Sequence, residues 1–288
     1  MMELLHAIIL GIVEGLTEYL PVSSTGHLII TRYLLGLGNT EALKAFDICI
    51  QGGAILAVLG IYFRRVRTIS SDTFRWLGNI KDTDKRKQIP DGMRLLINMF
   101  IGFIPAVILA LLLGDLIKEW LFDARVVMTT WAIGGLVILL YVRSREKRGK
   151  GSEGKKLEEL SYVGALKVGL MQCIAMCPGV SRSLMTMLGG LCAGLSVSAA
   201  VEFSFLLGLI TLGAATVHDA WEHGSIKVQE IGWTALICGT VTAWISAVIA
   251  VKWMVSYLNR HSLAIFGWYR IVAALVMLIL IVVYGLEA

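Results

Sequence analysis

The sequence predicts an all-α integral membrane protein with six transmembrane helices and two re-entrant helix–loop–helix pairs. Hydrophobic residues make up 57% of its 288 residues, charged residues make up only 16%, and the mean hydropathy is +0.75. Soluble domains are about half apolar and about a quarter charged, so this composition is typical of a membrane protein. Six apolar segments are long enough to cross the hydrocarbon core, which takes about 20 helical residues. The chain is therefore predicted to be a single polytopic membrane domain over residues 1–288.

The apolar segments are of two kinds. Six are predicted to span the membrane: 46–63, 94–113, 125–142, 199–217, 233–255 and 263–284. Four are too short or too polar to cross alone: 4–20, 27–37, 162–177 and 183–195. Polar turns at Pro21–Gly26 and Pro178–Ser183 divide these four into two pairs. Irregular backbone is tolerated at membrane depth only inside protein or beside a wet cavity, so each pair is predicted to enter and leave on one side.

The loop charges predict the orientation. Residues 64–93 carry eight Lys and Arg residues and residues 143–161 carry seven, whereas residues 114–124 and 218–232 carry one each. The positive-inside rule places the two basic loops in the cytoplasm and the other two outside. Both termini then lie outside, the first re-entrant pair enters from outside, and the second enters from the cytoplasm. Acidic residues interleave with the basic ones in both loops, which argues against nucleic acid as a partner.

Opposite insertion of two similar pairs predicts an inverted-topology repeat. The two halves and the cytoplasmic basic loop that joins them are roughly 1–142, 162–288 and 143–161. A shift of 158 residues superimposes the two turns, aligning Glu14 with Gln172 and Ser24 with Arg182. This alignment and the opposite insertion together indicate the repeat.

Glu14 and Glu18 lie four residues apart in the first apolar segment, so both carboxylates face one side of a helix. Two like charges at membrane depth are costly unless a cation or a shared proton intervenes. A hard divalent cation, Mg²⁺ or Ca²⁺, takes oxygen ligands and would relieve this repulsion. The sequence therefore predicts a metal site at Glu14 and Glu18, with a proton-sharing structural pair as the alternative.

Ser23, Ser24 and Thr25 form a hydroxyl-rich turn that leads into a helix beginning near Gly26. The free N–H groups and the positive dipole end of a helix start favour an anion; helix capping is the plainer role for such residues. His27 follows directly and can act as general base, proton donor or nucleophile. We expect Ser24 to be a nucleophile with His27 as its base. Attack on phosphorus by His27 or by water stays open.

The second turn supplies a positive charge at Ser181-Arg182-Ser183. A guanidinium at this depth is expected to pair with a phosphate or a carboxylate. If the two turns meet, the carboxylates, the hydroxyls, the histidine and Arg182 converge on one cavity, a set of groups suited to phosphoryl transfer. Arg270, inside the last span, also needs a partner. Glu202 is a candidate partner, and a structural ion pair and contact with a ligand are equally open.

Four motifs carry a resemblance to a known family. They are Gly11-Ile-Val-Glu14-Gly-Leu-Thr-Glu18-Tyr-Leu-Pro21-Val-Ser-Ser-Thr-Gly-His27, Phe46-Asp-Ile-Cys-Ile-Gln51-Gly-Gly-Ala-Ile-Leu-Ala-Val58, Pro178-Gly-Val-Ser-Arg-Ser183 and Glu202-Phe-Ser-Phe-Leu-Leu207. In these motifs the chain resembles the undecaprenyl-diphosphate phosphatase family, also called bacitracin-resistance proteins. The resemblance runs from the first span to the last.

The resemblance implies an enzyme of the bacterial inner membrane that hydrolyses undecaprenyl diphosphate to the monophosphate, recycling the lipid carrier of cell-wall synthesis. It also implies re-entrant helices, a divalent cation and an active site facing the outer side of that membrane. By motif position, the catalytic or phosphate-binding residues would be Glu14, Glu18, Ser24, His27 and Arg182. The substrate-binding residues beside them would be Ser23, Thr25, Ser181 and Ser183. Assembly as a homodimer is left open.

Three positions depart from the family's usual pattern. Leu184 replaces the glycine that usually follows Ser-Arg-Ser, and Asp47 stands where Glu is usual. The proline common after Phe-Ser-Phe-Leu-Leu is missing at Leu209–Ile210. None of these positions belongs to the charged cluster, so they bear on turn geometry and substrate fit more than on the class of reaction.

Two other functions were weighed against the phosphatase. A transporter or flippase of a polyprenyl phosphate would use the same midplane cavity, because inverted repeats with broken helices are transporter architecture. An intramembrane serine protease is disfavoured because the hydroxyl turn lacks the Gly-x-Ser-x-Gly pattern of many serine hydrolases. Release of phosphate from a lipid diphosphate separates the enzyme from the transporter.

Overall fold

The computed structural model describes residues 2–38, 40–79, 89–121, 123–149 and 152–286, apart from the side chains of residues 115, 118–120, 219 and 222–230. These residues form the α-helices α1 Leu4–Thr17, α2 Ser24–Leu34, α3 Glu41–Ile61, α4 Phe63–Gly78, α5 Asp91–Leu121, α6 Ala124–Lys147, α7 Tyr162–Ile174, α8 Arg182–Cys192, α9 Val197–Ile231, α10 Trp233–Leu258 and α11 Ala264–Tyr284. A short 3₁₀ helix, Leu157–Glu159, precedes α7. The predicted all-α class is confirmed.

In the part of the chain that the structure describes, six helices are long and apolar enough to cross a membrane, and each coincides with a predicted span. They are α3, Asp91–Gly114 of α5, α6, Val197–His218 of α9, α10 and α11. Their outward faces carry large exposed apolar side chains, which lipid rather than water would cover. The prediction of six transmembrane helices is therefore confirmed.

The basic segments contain more helix than the sequence analysis assigned to them. The first half of 64–93 belongs to α4, whose only buried residue is Ile69. A single buried position and many charges give no span signal, so this segment was treated as a loop. The remaining basic residues Lys81, Lys85, Arg86 and Lys87 lie outside the described residues, as do residues 150 and 151 of the second basic loop.

The four short apolar segments form α1, α2, α7 and α8, of 14, 11, 13 and 11 residues. None is long enough to cross alone. The first turn (residues 18–23) joins α1 to α2, and the second turn (residues 175–181) joins α7 to α8. Ser23 and Ser181 end these turns with φ of 70° and 77°, a left-handed conformation that is uncommon for serine. The two turns thus share one unusual backbone conformation at aligned positions.

The first short helix of each half packs on a span of the other half. α1 packs chiefly on α10, and α7 packs chiefly on α5, which corresponds to α10 in the order of spans. The corresponding spans α6 and α11 pack on each other, and so do α3 and α9. This is the pairing expected of two interlocked repeats. Insertion of the two short pairs from opposite sides stays a prediction.

Two glycines hold α1 against α10. A Cβ atom at Gly11 would collide with the backbone of Gly239, and one at Gly15 with the backbone of Ala243. Small residues four positions apart let two helix backbones approach closely in a membrane, where dispersion contacts drive packing. This close approach fixes the rotation of α1 about its axis. It therefore also fixes where Glu14 and Glu18 point.

Candidate functional site

Glu18, one residue past α1, joins the two turns. Ser24, the first residue of α2, donates its hydroxyl hydrogen to Glu18 Oε2 at 2.6 Å. Arg182, the first residue of α8, donates from Nη2 to Glu18 Oε1 at 3.3 Å. The Glu18 side chain is 7% exposed, so both interactions are sheltered from solvent. The predicted convergence of an acid, a hydroxyl and an arginine is present in the structure.

The Arg182 guanidinium is fixed by more than its ion pair. Its Nη1 donates to the carbonyl of Ser204 at 3.2 Å, and its carbon lies 5.0 Å from the centre of the Tyr19 ring. Gly208 passes so close that a Cβ atom there would collide with the guanidinium. A planar fork held on several sides is preorganised to meet a bidentate anion.

Glu14 is buried beside Glu18, with 1% of its surface exposed. Glu14 lies one helical turn before Glu18, and its Oε1 has no partner among the described residues. No group of three His, Cys, Asp or Glu residues in the described part of the chain could hold a metal by itself. Two carboxylates fit a cation such as Mg²⁺, which is usually bound by one or two carboxylates, water and substrate phosphates. A cation and a shared proton both remain compatible with this pair.

His27 differs from expectation. Its Nδ1–H donates to the carbonyl of Ser23 at 2.7 Å, and its Nε2 accepts from the hydroxyl of Tyr269 at 2.6 Å. The rings of His27 and Tyr269 stack at an interplanar angle of 13°. The positive φ of Ser23 turns its carbonyl toward the imidazole, which occupies both ring nitrogens outside the Ser24 contact. The structure therefore does not pair Ser24 with His27, and the Ser24 hydroxyl is bonded to Glu18 instead. The role of His27 as the base of Ser24 stays a prediction.

The other predicted substrate-binding residues mostly form hydrogen bonds within the two turns. Ser183 donates to the carbonyl of Leu20 at 2.8 Å and lies 3.0 Å from the hydroxyl of Ser181, which caps α8. Ser23 contributes its backbone carbonyl, and Thr25 is half-buried without a described hydrogen bond to the cluster. The hydroxyls of Ser181 and Ser183 thus form hydrogen bonds with backbone groups of the two turns and of α8. A substrate-binding role for these four residues stays a prediction.

Arg270 has partners other than the expected one. Its guanidinium donates to three backbone carbonyls, those of Pro21, Thr130 and Gly179. Glu202 instead pairs with Arg65 Nε at 2.9 Å. The Arg270–Glu202 ion pair is therefore wrong, because the Glu202 carboxylate is directed to Arg65 of α4.

The three positions that depart from the family pattern are accommodated by the local structure. Leu184 is fully buried in the main core and donates its N–H to the Ser181 hydroxyl at 3.3 Å. α9 continues unbroken through Leu209 and Ile210, as expected where proline is missing. Asp47 of α3 forms an ion pair with Arg32 of α2.

Two contributors to the site were not predicted from the sequence. No local sequence pattern marks Tyr269 as a partner of His27. Ser204 shares a 2.6 Å hydrogen bond with Thr186 and gives its carbonyl to Arg182. Its place inside the motif that begins at Glu202 was the signal that could have identified it.

The fold and this cluster together define a polytopic membrane protein with an intramembrane carboxylate–hydroxyl–arginine site built from two paired turns. The chain belongs to the bacitracin resistance protein BacA family, whose model matches residues 7–276. It is 41% identical over 276 residues to the undecaprenyl-diphosphatase of Polaromonas sp. (strain JS666 / ATCC BAA-500), covering 96% of this chain and 94% of the relative. It is 43% identical over 276 residues to that of Albidiferax ferrireducens and 42% identical over 277 residues to that of Nitrosomonas europaea, with the same coverage.

Proposed function

We propose that this chain is a phosphatase that hydrolyses undecaprenyl diphosphate to undecaprenyl phosphate and inorganic phosphate, and so recycles the lipid carrier of the bacterial cell wall. The observation that carries this proposal is the buried Ser24–Glu18–Arg182 chain of hydrogen bonds. The relatives named undecaprenyl-diphosphatase support the substrate.

In the proposed reaction, Ser24 Oγ attacks the terminal phosphorus of the diphosphate. Its proton passes to Glu18 Oε2, the oxygen that already accepts the hydroxyl hydrogen bond. The phosphoanhydride bond breaks and undecaprenyl phosphate leaves. Water then cleaves the phosphoserine, which releases inorganic phosphate and returns the proton to Ser24.

Arg182 is the group that stabilises charge on the phosphoryl oxygens. In the structure its guanidinium is held by Glu18 and by the Ser204 carbonyl, so little reorganisation is needed when substrate binds. Preorganised donors aimed at developing charge are commonly the largest catalytic contribution. A terminal phosphate would exchange one of these contacts for a bidentate contact with the fork.

Glu14 and Glu18 are the proposed ligands of a divalent cation, Mg²⁺ or Ca²⁺. The unpaired, buried Oε1 of Glu14 supports this assignment, because a buried carboxylate oxygen without a partner is costly. The cation would screen the repulsion between these carboxylates and the diphosphate. His27 and its partner Tyr269 would lie beside the bound phosphate rather than on the nucleophile.

The proposed location is the bacterial inner membrane, with the site open to the outer side and the prenyl tail along the lipid-facing spans. The basic residues of α4 and of the segment after α6 support a cytoplasmic side opposite that opening. A homodimer stays an expectation.

The test is release of inorganic phosphate from undecaprenyl diphosphate by the purified protein, with and without chelator. We expect release that chelator stops and that added Mg²⁺ or Ca²⁺ restores. Glu14→Gln and Glu18→Gln should each remove most activity. Activity that persists in excess chelator would identify Glu14 and Glu18 as a proton-sharing pair. Binding or lipid movement without phosphate release would identify a transporter.

The nucleophile is tested by acid quench during turnover. We expect a phosphorylated Ser24 in the native protein, and loss of turnover with retained binding in Ser24→Ala. Ser70→Ala, at an exposed hydroxyl on α4, is the matched control and should keep full activity. A phosphorylated His27 would make the histidine the nucleophile, and absence of phosphoenzyme would favour direct attack by water.

A further inference from the structure

Arg270 of α11 contacts both turns. It belongs to α11, is fully buried, and has no carboxylate partner among the described residues. Its guanidinium donates to Pro21 O of the first turn at 3.4 Å and to Gly179 O of the second turn at 2.8 Å. It also donates to Thr130 O of α6 at 2.9 Å. One side chain therefore bonds both turns and a span.

These carbonyls need a donor. Pro21 and Gly179 lie outside the helices, so no helical N–H is available to their carbonyls, and water is scarce at this depth. A neutral donor such as a hydroxyl could reach one of them, as Thr130 does for the carbonyl of Pro178 at 2.8 Å. Only arginine offers several N–H donors in one rigid plane.

The fit around the guanidinium is close. Gly134 of α6 has no room for a side chain, because a Cβ atom there would lie against the guanidinium of Arg270. Gly179 has φ +84°, and a Cβ atom there would collide with the Thr130 hydroxyl. The second turn thus packs directly on α6. Arg270, which is also bonded to α6, joins the first turn to the same helix.

We infer that Arg270 is a positioning residue that sets the separation between the nucleophile and the phosphate-binding arginine. Pro21 lies between Glu18 and Ser24, and Gly179 lies three residues before Arg182, so bonding their carbonyls to one plane fixes the two walls of the site relative to each other. The inference rests on the proposed phosphatase activity for its kinetic consequence. Its structural consequence, the order of both turns, does not depend on activity.

The kinetic test uses Arg270→Lys, which keeps the charge and loses the fork. Because a displacement of about 1 Å can cost about 10²-fold in rate, we expect kcat to fall about 10²-fold with a much smaller change in KM. Gly134→Ala, which crowds the guanidinium without removing it, should lower kcat in the same direction by less. Gly213→Ala, where a Cβ atom meets open space, and Arg260→Lys, at an exposed arginine, are the controls.

A double mutant separates positioning from simple destabilisation. If Arg270 acts by aligning Arg182, adding Arg270→Lys to Arg182→Ala should lower kcat by less than about 3-fold, because the guanidinium that Arg270 would align is already absent. Full additivity of the two losses would overturn the inference. So would Arg270→Lys with kcat within about 2-fold of the native protein.

Hydrogen exchange gives a readout that does not need activity. In Arg270→Lys, amides of residues 18–23 and 175–181 should exchange faster than in the native protein, and in Arg260→Lys they should not. If the native protein releases no phosphate but this difference is seen, the proposed function fails and the positioning role stands. If the native protein is active and exchange at both turns is unchanged, the positioning role fails alone.

Discussion

At the scale of single residues, Glu18 is where the two halves of the chain meet chemically. One carboxylate oxygen receives the Ser24 hydroxyl and the other receives the Arg182 guanidinium. An acceptor shared in this way orients the proposed nucleophile and the proposed phosphate-binding group together. Removal of either partner would leave a buried carboxylate oxygen without a donor, which is costly at this depth.

Arg182→Lys tests whether geometry matters beyond charge. A lysine ammonium is a point donor and cannot hold Glu18, the Ser204 carbonyl and a phosphate in one plane. We expect kcat to fall about 10²–10³-fold, the usual cost of losing one preorganised donor. The measurement is steady-state phosphate release, with Arg260→Lys as the matched control. Native turnover in Arg182→Lys would show that net positive charge alone is sufficient.

The site residues were identifiable from sequence because ionisable groups in apolar segments are costly without a function. Their partners were not. The hydrogen bond of His27 depends on the left-handed conformation of Ser23, and that of Ser24 on the rotation of α1 about its axis. Neither property has a local sequence signal. The sequence therefore could not show which groups Ser24 and His27 contact, and their roles in catalysis stay predictions.

At the scale of helices, α1 is too short to span and depends on its contact with α10. Gly15→Ala should weaken this contact, because the added Cβ atom would meet the backbone of Ala243. Overpacking of this kind costs about 1–3 kcal/mol, or roughly 2–10 °C in the unfolding midpoint. Thermal unfolding of the purified protein measures it. Gly60→Ala, at an open position of α3, should leave the midpoint unchanged or higher.

The α4 helix is joined to the linker before α7 by Arg65 and Glu158. The hydrogen bond from Arg65 lowers the pKa of the Glu158 carboxyl, so the charged form is favoured in the folded protein. This contribution is present above the ordinary glutamate pKa of about 4.3 and is lost as the pH falls through the lowered value. Glu158 is partly exposed, so the contribution is expected to be about 0.2–1 kcal/mol.

Glu158→Gln should therefore lower the unfolding midpoint slightly at pH 7, and the difference from the native protein should shrink below about pH 4. Thermal unfolding across this pH range measures it. Glu146→Gln, at an exposed carboxyl on α6, serves as the matched control. A difference that grows as the pH falls would contradict the sign derived from the pKa of Glu158.

At the scale of the whole molecule, the sequence predicted the spans well because hydrocarbon sets their length and composition. The meeting of the two turns was only a condition of the predicted site, and the hydrogen bonds from Arg182 to Glu18 and from Ser183 to Leu20 now show that the turns are in contact. The sequence could not predict that α1 would pack on α10 and α7 on α5, since contacts between distant helices depend on small residues whose partners lie far away in the chain.

The topology is tested by labelling single cysteines in a protein whose five native cysteines are replaced. A cysteine at Arg75 of α4 should react with a membrane-impermeant reagent only from the cytoplasm, and one at Trp221 of α9 only from outside, because the basic segments remain on the cytoplasmic side. The labelling is done on intact cells and on inverted vesicles. Labelling of position 221 from the cytoplasmic side would place the site on the wrong face for an outer-facing phosphatase.

The two turns share a backbone conformation but differ in chemistry. Where the first half has Glu14 and Ser24, the second has Gln172 and Arg182 at the aligned positions. Gln172 donates to the Gly102 carbonyl at 3.4 Å and accepts from Thr211, so its amide is used within the protein. The first half therefore supplies the two glutamates and the Ser24 hydroxyl, and the second half supplies the Arg182 guanidinium. Neither half alone contains the site.

The position of Arg270 on α11 has a consequence for biosynthesis. Every residue of the cluster, from Glu14 to Arg182, leaves the ribosome before Arg270 does. Both turns are thus synthesised while the carbonyls of Pro21 and Gly179 still lack the donor that will join them. On the proposed role of Arg270, the full rate of hydrolysis would be reached only after the last helix is inserted.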